Sequence, residues 1–162
     1  AAEHVGVSIE VACEALSNFG GVKRRMELLD TVNGIEVYDD FAHHPTAIDT
    51  TLEGARKRLG ERKLWAIIEP RSNTMRMGSH KVGLAHSARL ADEVIWYQPE
   101  GLDWDLQPVI DASPNKAVVA RSLDDIIQTV VAEAGEGDAV VIMSNGGFGG
   151  LHQKLLTALK SK

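Results

Sequence analysis

The chain has 162 residues, of which 44% are hydrophobic and 25% charged, enough apolar side chain for one substantial core. Its net charge of −6, with Lys23-Arg24-Arg25 as the only dense basic run, argues against nucleic acid as the main partner. No apolar run approaches the ~18 residues of a membrane span, no signal peptide is visible, and the single Cys13 can form no internal disulfide, so a reducing cytoplasm is the expected setting.

The first 19 residues, AAEHVGVSIEVACEALSNF, predict two short helical pieces. Ser8 is a plausible N-cap for the second, whose apolar face is Val11, Ala12, Ala15 and Leu16. A start without Met, already helical, suggests a piece of a longer protein. Gly20-Gly21 breaks the pattern and marks the expected domain boundary, with residues 1–20 as the end of a preceding domain or a linker and 21–162 as the domain proper.

RMELLDTV and IEVYDDF flank Asn33-Gly34, a strong β-hairpin signal. Pro45 to Leu59 is helical in period, with Ile48, Leu52, Ala55 and Leu59 on one face and Gly60 as the stop. LWAII follows as a fully apolar strand, then a polar loop, a short helix at LAHSARLA, and strands at EVIWY and KAVVA. Ser122 and Asp125 form a capping-box pattern before a helix with Ile126, Val130 and Val131 inward. AVVIM is a strand apolar on both faces, and the last helix carries Leu151, Leu155, Leu156 and Leu159. Residues 101–115 read as a loop-rich insertion.

Continuous apolar strands alternating with amphipathic helices predict an α/β fold, a Rossmann-like three-layer domain. Its sheet is mostly parallel, opened by the hairpin and covered by helices on both faces. In such sheets ligands bind beyond the carboxyl ends of the strands. Three polar segments fall there: DDFAHHPT, EPRSNTMR and SNGGFGG.

Asp39 and Asp40 suit a ribose hydroxyl, a metal or a helix cap. His43 and His44 lack a Cys partner, and adjacent His side chains diverge, so phosphate or carboxylate contacts fit better than zinc. Arg71 and Arg76 offer forks for a carboxylate or phosphate, or simply a solvated loop. SNGGFGG is neither GxGxxG nor GxxxxGK[ST]. It suits an anion at a helix start or a tight turn, with Ser144 and Asn145 adding hydrogen bonds and Phe148 an apolar wall.

In order, FGGVKRRMEL, VYDDFAHHPTAI, EPRSNTM and SNGGFGGLHQKLL resemble the C-terminal domain of the Mur ligases, the cytoplasmic ATP-dependent amide ligases of peptidoglycan assembly. The resemblance runs from about Phe19 to the end, and residues 1–18 look like closing helices of the central ATPase domain. It implies that Arg25, Asp40 and His43 face ATP. It implies that His44, Arg71, Ser72, Asn73, Thr74, Arg76, Ser144, Asn145 and Phe148 face the peptide substrate.

The alanine-adding members carry a differently composed loop in place of EPRSNTM. That departure favours the branch that joins L-alanyl-γ-D-glutamyl-meso-diaminopimelate to UDP-N-acetylmuramate through an acyl phosphate in cell-wall recycling. The partners implied are those two substrates and the N-terminal and central domains of the same enzyme, with neither nucleic acid nor membrane. Magnesium and the phosphate-gripping loop belong to the family's central domain. No GxxxxGK[ST] occurs here, so no metal site and no catalysis are expected of these residues alone. The competing readings are an alanine-adding ligase and a non-catalytic Rossmann-like binding domain; a dinucleotide dehydrogenase fits poorly, because DDFAHHPT stands where GxGxxG belongs.

Overall fold

Asn33 and Gly34 both take positive φ, 51° and 75°, the geometry of a tight two-residue hairpin turn. They join β1 (Glu27–Val32) to β2 (Ile35–Asp40) in the antiparallel pair that the Asn-Gly signal predicts. In the computed structural model, which describes residues 3–18, 22–70, 81–98, 100–102 and 105–162, this hairpin is one edge of a six-stranded sheet. β3 (Leu64–Ile68), β4 (Glu93–Tyr97), β5 (Lys116–Ala120) and β6 (Ala139–Met143) complete it in the order β1-β2-β6-β3-β4-β5. Every pairing after the hairpin is parallel. β3 and β6 are buried at all five positions, which is why they read as unbroken apolar runs.

α1 (Ile9–Ser17) is capped by Ser8, whose hydroxyl accepts from Val11 N at 3.4 Å. It buries none of its residues, and Leu16 on its apolar face is 73% exposed. The expected boundary at Gly20-Gly21 lies outside the described residues. α2 (Pro45–Leu59) begins at a tolerated Pro and stops at Gly60, whose φ is 62°. Its Ile48, Leu52, Ala55 and Leu59 pack with α3 (Lys81–Ser87) and α4 (Gln107–Asp111) against one sheet face. The other face is covered by α5 (Leu123–Glu133), with the full Ser122–Asp125 capping box, and α6 (Leu151–Lys160).

α4 lies within 101–115, the stretch that reads from sequence as a loop-rich insertion. Leu106 and Val109 are fully buried against the α2 side and fold the segment into a short crossover helix. That crossover lets β4 and β5 run parallel, as two strands joined directly by a tight turn cannot. Among the described residues no helix is long and apolar enough to cross a membrane.

Candidate functional site

Strand pleating sends alternate side chains to opposite faces. At the end of β2 it separates the paired acids. Asp39 continues the row of Ile35 and Val37 toward α6, while Asp40 turns toward α2. The two carboxylates therefore do different work.

Asp39 is 8% exposed and held from two sides. Arg24 Nε donates to its Oδ2 at 3.0 Å, and His152 Nε2, on the first turn of α6, lies 3.1 Å from Oδ1. The same guanidinium donates through Nη2 to the carbonyls of Ser144 (2.7 Å) and Gly146 (2.9 Å), and lies over the Phe41 ring at 5.1 Å. One arginine thus ties the start of the hairpin to the glycine-rich loop after β6. To reach that position Arg24 adopts a φ of 58° and Met26 one of 48°, left-handed conformations that cost a non-glycine residue energy.

Asp40 is 2% exposed, and its oxygens tie the segment before β1 to the loop after β2. Oδ2 accepts from Met26 N at 2.8 Å; Oδ1 accepts from Ala42 N at 2.8 Å and from the Thr51 hydroxyl at 3.2 Å. It does not cap α2, one of the roles open to it from sequence. His44 does, its Nδ1 accepting from Thr46 N at 3.4 Å. His43 stands beside it, with Nδ1 2.8 Å from the Phe41 carbonyl and its ring edge-on to Phe41 at 5.2 Å. Arg25 is exposed, its guanidinium 5.5 Å from the centre of the same Phe41 ring. Arg25, Phe41 and His43 form an open, cationic and aromatic shelf at the end of β2.

Across the edge the register puts Ser144, Glu69 and Tyr97 side by side, since Met143 pairs with Ile68 and Ile68 with Trp96. Ser144 is fully buried and donates from Oγ to Glu69 Oε2 at 2.5 Å, while Gly146 N donates to that Oγ at 2.9 Å. Burial pushes the Tyr97 phenol above its ordinary pKa, and the Glu69 carboxylate adds to the rise. The Phe148 ring lies wholly within the core, 5.4 Å from Tyr97, at a φ of 43°. Asn145 presents a buried Oδ1 with no hydrogen-bond partner.

The structure thus gathers Arg25, Asp40, His43, His44, Ser144 and Asn145 at one carboxyl edge, with Phe148 beneath it. Arg71, Ser72, Asn73, Thr74 and Arg76 lie outside the described residues. Sequence reasoning passed over Glu69 and His152, named Arg24 only as part of a basic run, and gave Asp39 the same three roles as Asp40 without seeing that it pairs with Arg24 and His152. The alternation Ile35, Val37, Asp39 and the matching row Trp65, Ile67, Glu69 carried the signal for two of them. Among the described residues no group of three or more His, Cys, Asp or Glu could hold a metal ion.

Residues 24–146 match the family described as Mur ligase, glutamate ligase domain. Over its whole length the chain is 47% identical to the UDP-N-acetylmuramate–L-alanyl-γ-D-glutamyl-meso-2,6-diaminoheptandioate ligase of Haemophilus influenzae, and it spans 36% of that protein. It is 58% identical to the solved murein peptide ligase of Psychrobacter arcticus, with a TM-score of 0.81, covering 99% of this chain and 35% of that one. The UDP-N-acetylmuramate–L-alanine ligase of Mycobacterium ulcerans is 30% identical across the whole chain, which spans 35% of it. The chain therefore spans about a third of the length of the curated relatives it matches.

Proposed function

The chain belongs to the Mur ligase family, and from that premise we propose that it is the amine-receiving C-terminal domain of an ATP-dependent ligase. The reaction is the joining of L-alanyl-γ-D-glutamyl-meso-diaminopimelate to UDP-N-acetylmuramate in peptidoglycan recycling, in the cytoplasm. The observation that carries the reading is the whole-chain identity of 47% to a ligase named for that tripeptide, against 30% to one named for L-alanine. Residues 1–20 are then the end of the central domain or the linker from it. The exposed apolar face of α1 supports this, because such a face calls for a partner.

ATP supplies the phosphoryl group that turns the muramoyl carboxylate into an acyl phosphate. The chain's own residues fit one wall of that site. Arg25 and His43, on the open shelf around Phe41, suit the nucleotide and its charge. Asp40 suits a ribose hydroxyl by exchanging its bond to Thr51, the longest of its three. His44, Ser144 and Asn145, with Arg71, Ser72, Asn73, Thr74 and Arg76, form the peptide side, while Phe148, expected there from sequence, is fully buried and supports the loop from beneath. The described residues supply no group of three or more His, Cys, Asp or Glu for a metal ion, and magnesium is assigned to the central domain. What this domain contributes is alignment of the amine against the acyl carbon and exclusion of water from the acyl phosphate.

The test is ATP-dependent phosphate release by the full-length ligase with UDP-N-acetylmuramate and either amine. Release with the tripeptide supports the reading. Release with L-alanine alone moves the domain to the alanine-adding branch, and release with neither leaves a Rossmann-like binding domain. The 162-residue chain by itself is expected to release none.

A further inference from the structure

Glu69 is 6% exposed at the carboxyl edge, and no cation faces it among the described residues. On the same sheet face, the Arg24 guanidinium is committed to Asp39 and two carbonyls. A buried carboxylate without a compensating charge is costly, and proteins keep such groups where a ligand supplies the charge. One oxygen, Oε2, takes the Ser144 hydroxyl; Oε1 has no hydrogen-bond partner among the described residues. One residue beyond Ser144, Asn145 Oδ1 is a second acceptor, buried and without a hydrogen-bond partner among the described residues. Among the described residues, Glu69 and Asn145 thus present acceptors at this stretch of the edge. A primary ammonium has the complementary chemistry, with three N–H donors and one positive charge.

We propose that Glu69 receives the ammonium of the incoming amine substrate and takes its proton as the nitrogen attacks the acyl phosphate. This rests on the ligase reading above. A peptide α-amine has a pKa of about 7.7–8.0 and arrives at neutral pH mostly as the ammonium, which has no lone pair to attack with. One N–H bond breaks to the Glu69 carboxylate, freeing that lone pair. The nitrogen forms its bond to the acyl carbon, the carbon–oxygen bond to phosphate breaks, and the departing phosphate carries off the second proton. The nitrogen keeps its third hydrogen as the amide N–H, and the protonated Glu69 returns its proton to water. Ser144, bonded to Oε2 and itself held by Gly146 N, fixes the carboxylate in place and leaves Oε1 for the substrate.

The experiment uses the full-length ligase with wild-type, Glu69→Gln and Glu69→Asp sequences. Phosphate release is followed with UDP-N-acetylmuramate and ATP, offering either the tripeptide or hydroxylamine. Hydroxylamine is uncharged at neutral pH and captures an acyl phosphate without surrendering a proton first. Glu69→Gln is expected to lower kcat/KM for the tripeptide about a hundredfold, while KM for ATP and the rate with hydroxylamine stay within about twofold of wild type. Glu69→Asp should recover part of the peptide rate.

Wild-type peptide kinetics in Glu69→Gln would overturn the inference, since glutamine can still accept from Ser144. Equal losses with both nucleophiles would overturn it too, because Glu69 would then shape the site and not handle the amine. If Glu69→Gln does not fold, the same comparison in Glu69→Asp decides. A wild-type ligase that used L-alanine in place of the tripeptide would sink the substrate reading alone, and the Glu69 comparison would then be made with alanine. No release with any amine would sink both.

Discussion

Removing the Arg24 side chain should loosen the carboxyl edge more than any other single change at an incompletely buried position. Arg24→Ala leaves Asp39, whose side chain is 11% exposed, with His152 as its one remaining partner, and strips the carbonyls of Ser144 and Gly146 of their donor. Breaking a buried ion pair from one side costs about 3–5 kcal/mol. The Arg24 side chain is 26% exposed, so water partly replaces it, and about 2–3 kcal/mol is the expected loss. For a chain of this length that corresponds to a drop in Tm of roughly 5–10 °C. The assay is a thermal melt of the 162-residue chain followed by far-UV circular dichroism. Arg24→Lys separates charge from shape: an ammonium keeps the charge but cannot span the carboxylate and both carbonyls, so it should recover only a minor part. A double-mutant cycle with Asp39→Asn should give a coupling of about 1–3 kcal/mol. If Arg24→Ala melts within about 1 °C of wild type, the tie between hairpin and glycine-rich loop is not what holds this edge together.

Two smaller expectations follow from local geometry. The Tyr38 hydroxyl donates to Glu36 Oε2 at 2.6 Å, and that bond, helped by Arg62, holds the Glu36 carboxyl below its usual 4.5. A depressed folded-state pKa stabilises the fold above the unfolded value and loses that contribution as pH falls through the folded one. Tyr38→Phe should therefore flatten the fall in stability below pH 4.5, read from urea melts across that range; an unchanged acid limb would count against the bond. At Gly149, φ is 57° and an added Cβ would stand 2.7 Å from Leu123 Cδ1, so Gly149→Ala should cost about 1–2 kcal/mol, chiefly by putting a side chain on a left-handed backbone while the leucine tip gives way. A neutral effect in the same melts would show that the glycine-rich loop does not need its left-handed turn.

Local chemistry made much of the fold legible. Asn33-Gly34, Pro45, Gly60 and the Ser122–Asp125 pair each determine a turn or a helix end through contacts a few residues away, and all appear where expected. α4 was not legible, because five residues opened by Gln107-Pro108 carry no helical period, and only the burial of Leu106 and Val109 organises them. The carboxyl edge was legible as a place, since three strands end in polar loops, but not as a set of partners. Arg24 meets Ser144 across 120 positions, and Ser144 meets Glu69 across 75, separations over which residue type gives no pairing. The doubled Arg24-Arg25 and Asp39-Asp40 show the limit well. In each pair the backbone directs the first side chain into the edge's framework. Arg25, the second arginine, is left on the open shelf, and Asp40, the second acid, ties Met26 to Ala42.

The most direct test of the central claim is a competition. The full-length ligase receives UDP-N-acetylmuramate, ATP and equal concentrations of the tripeptide and L-alanine in one vessel, and the muramoyl products are weighed by mass spectrometry. The tripeptide adduct should dominate by about a hundredfold or more, a discrimination of roughly 3 kcal/mol. A product mixture dominated by the alanine adduct would contradict the account and move this domain to the other branch of its family.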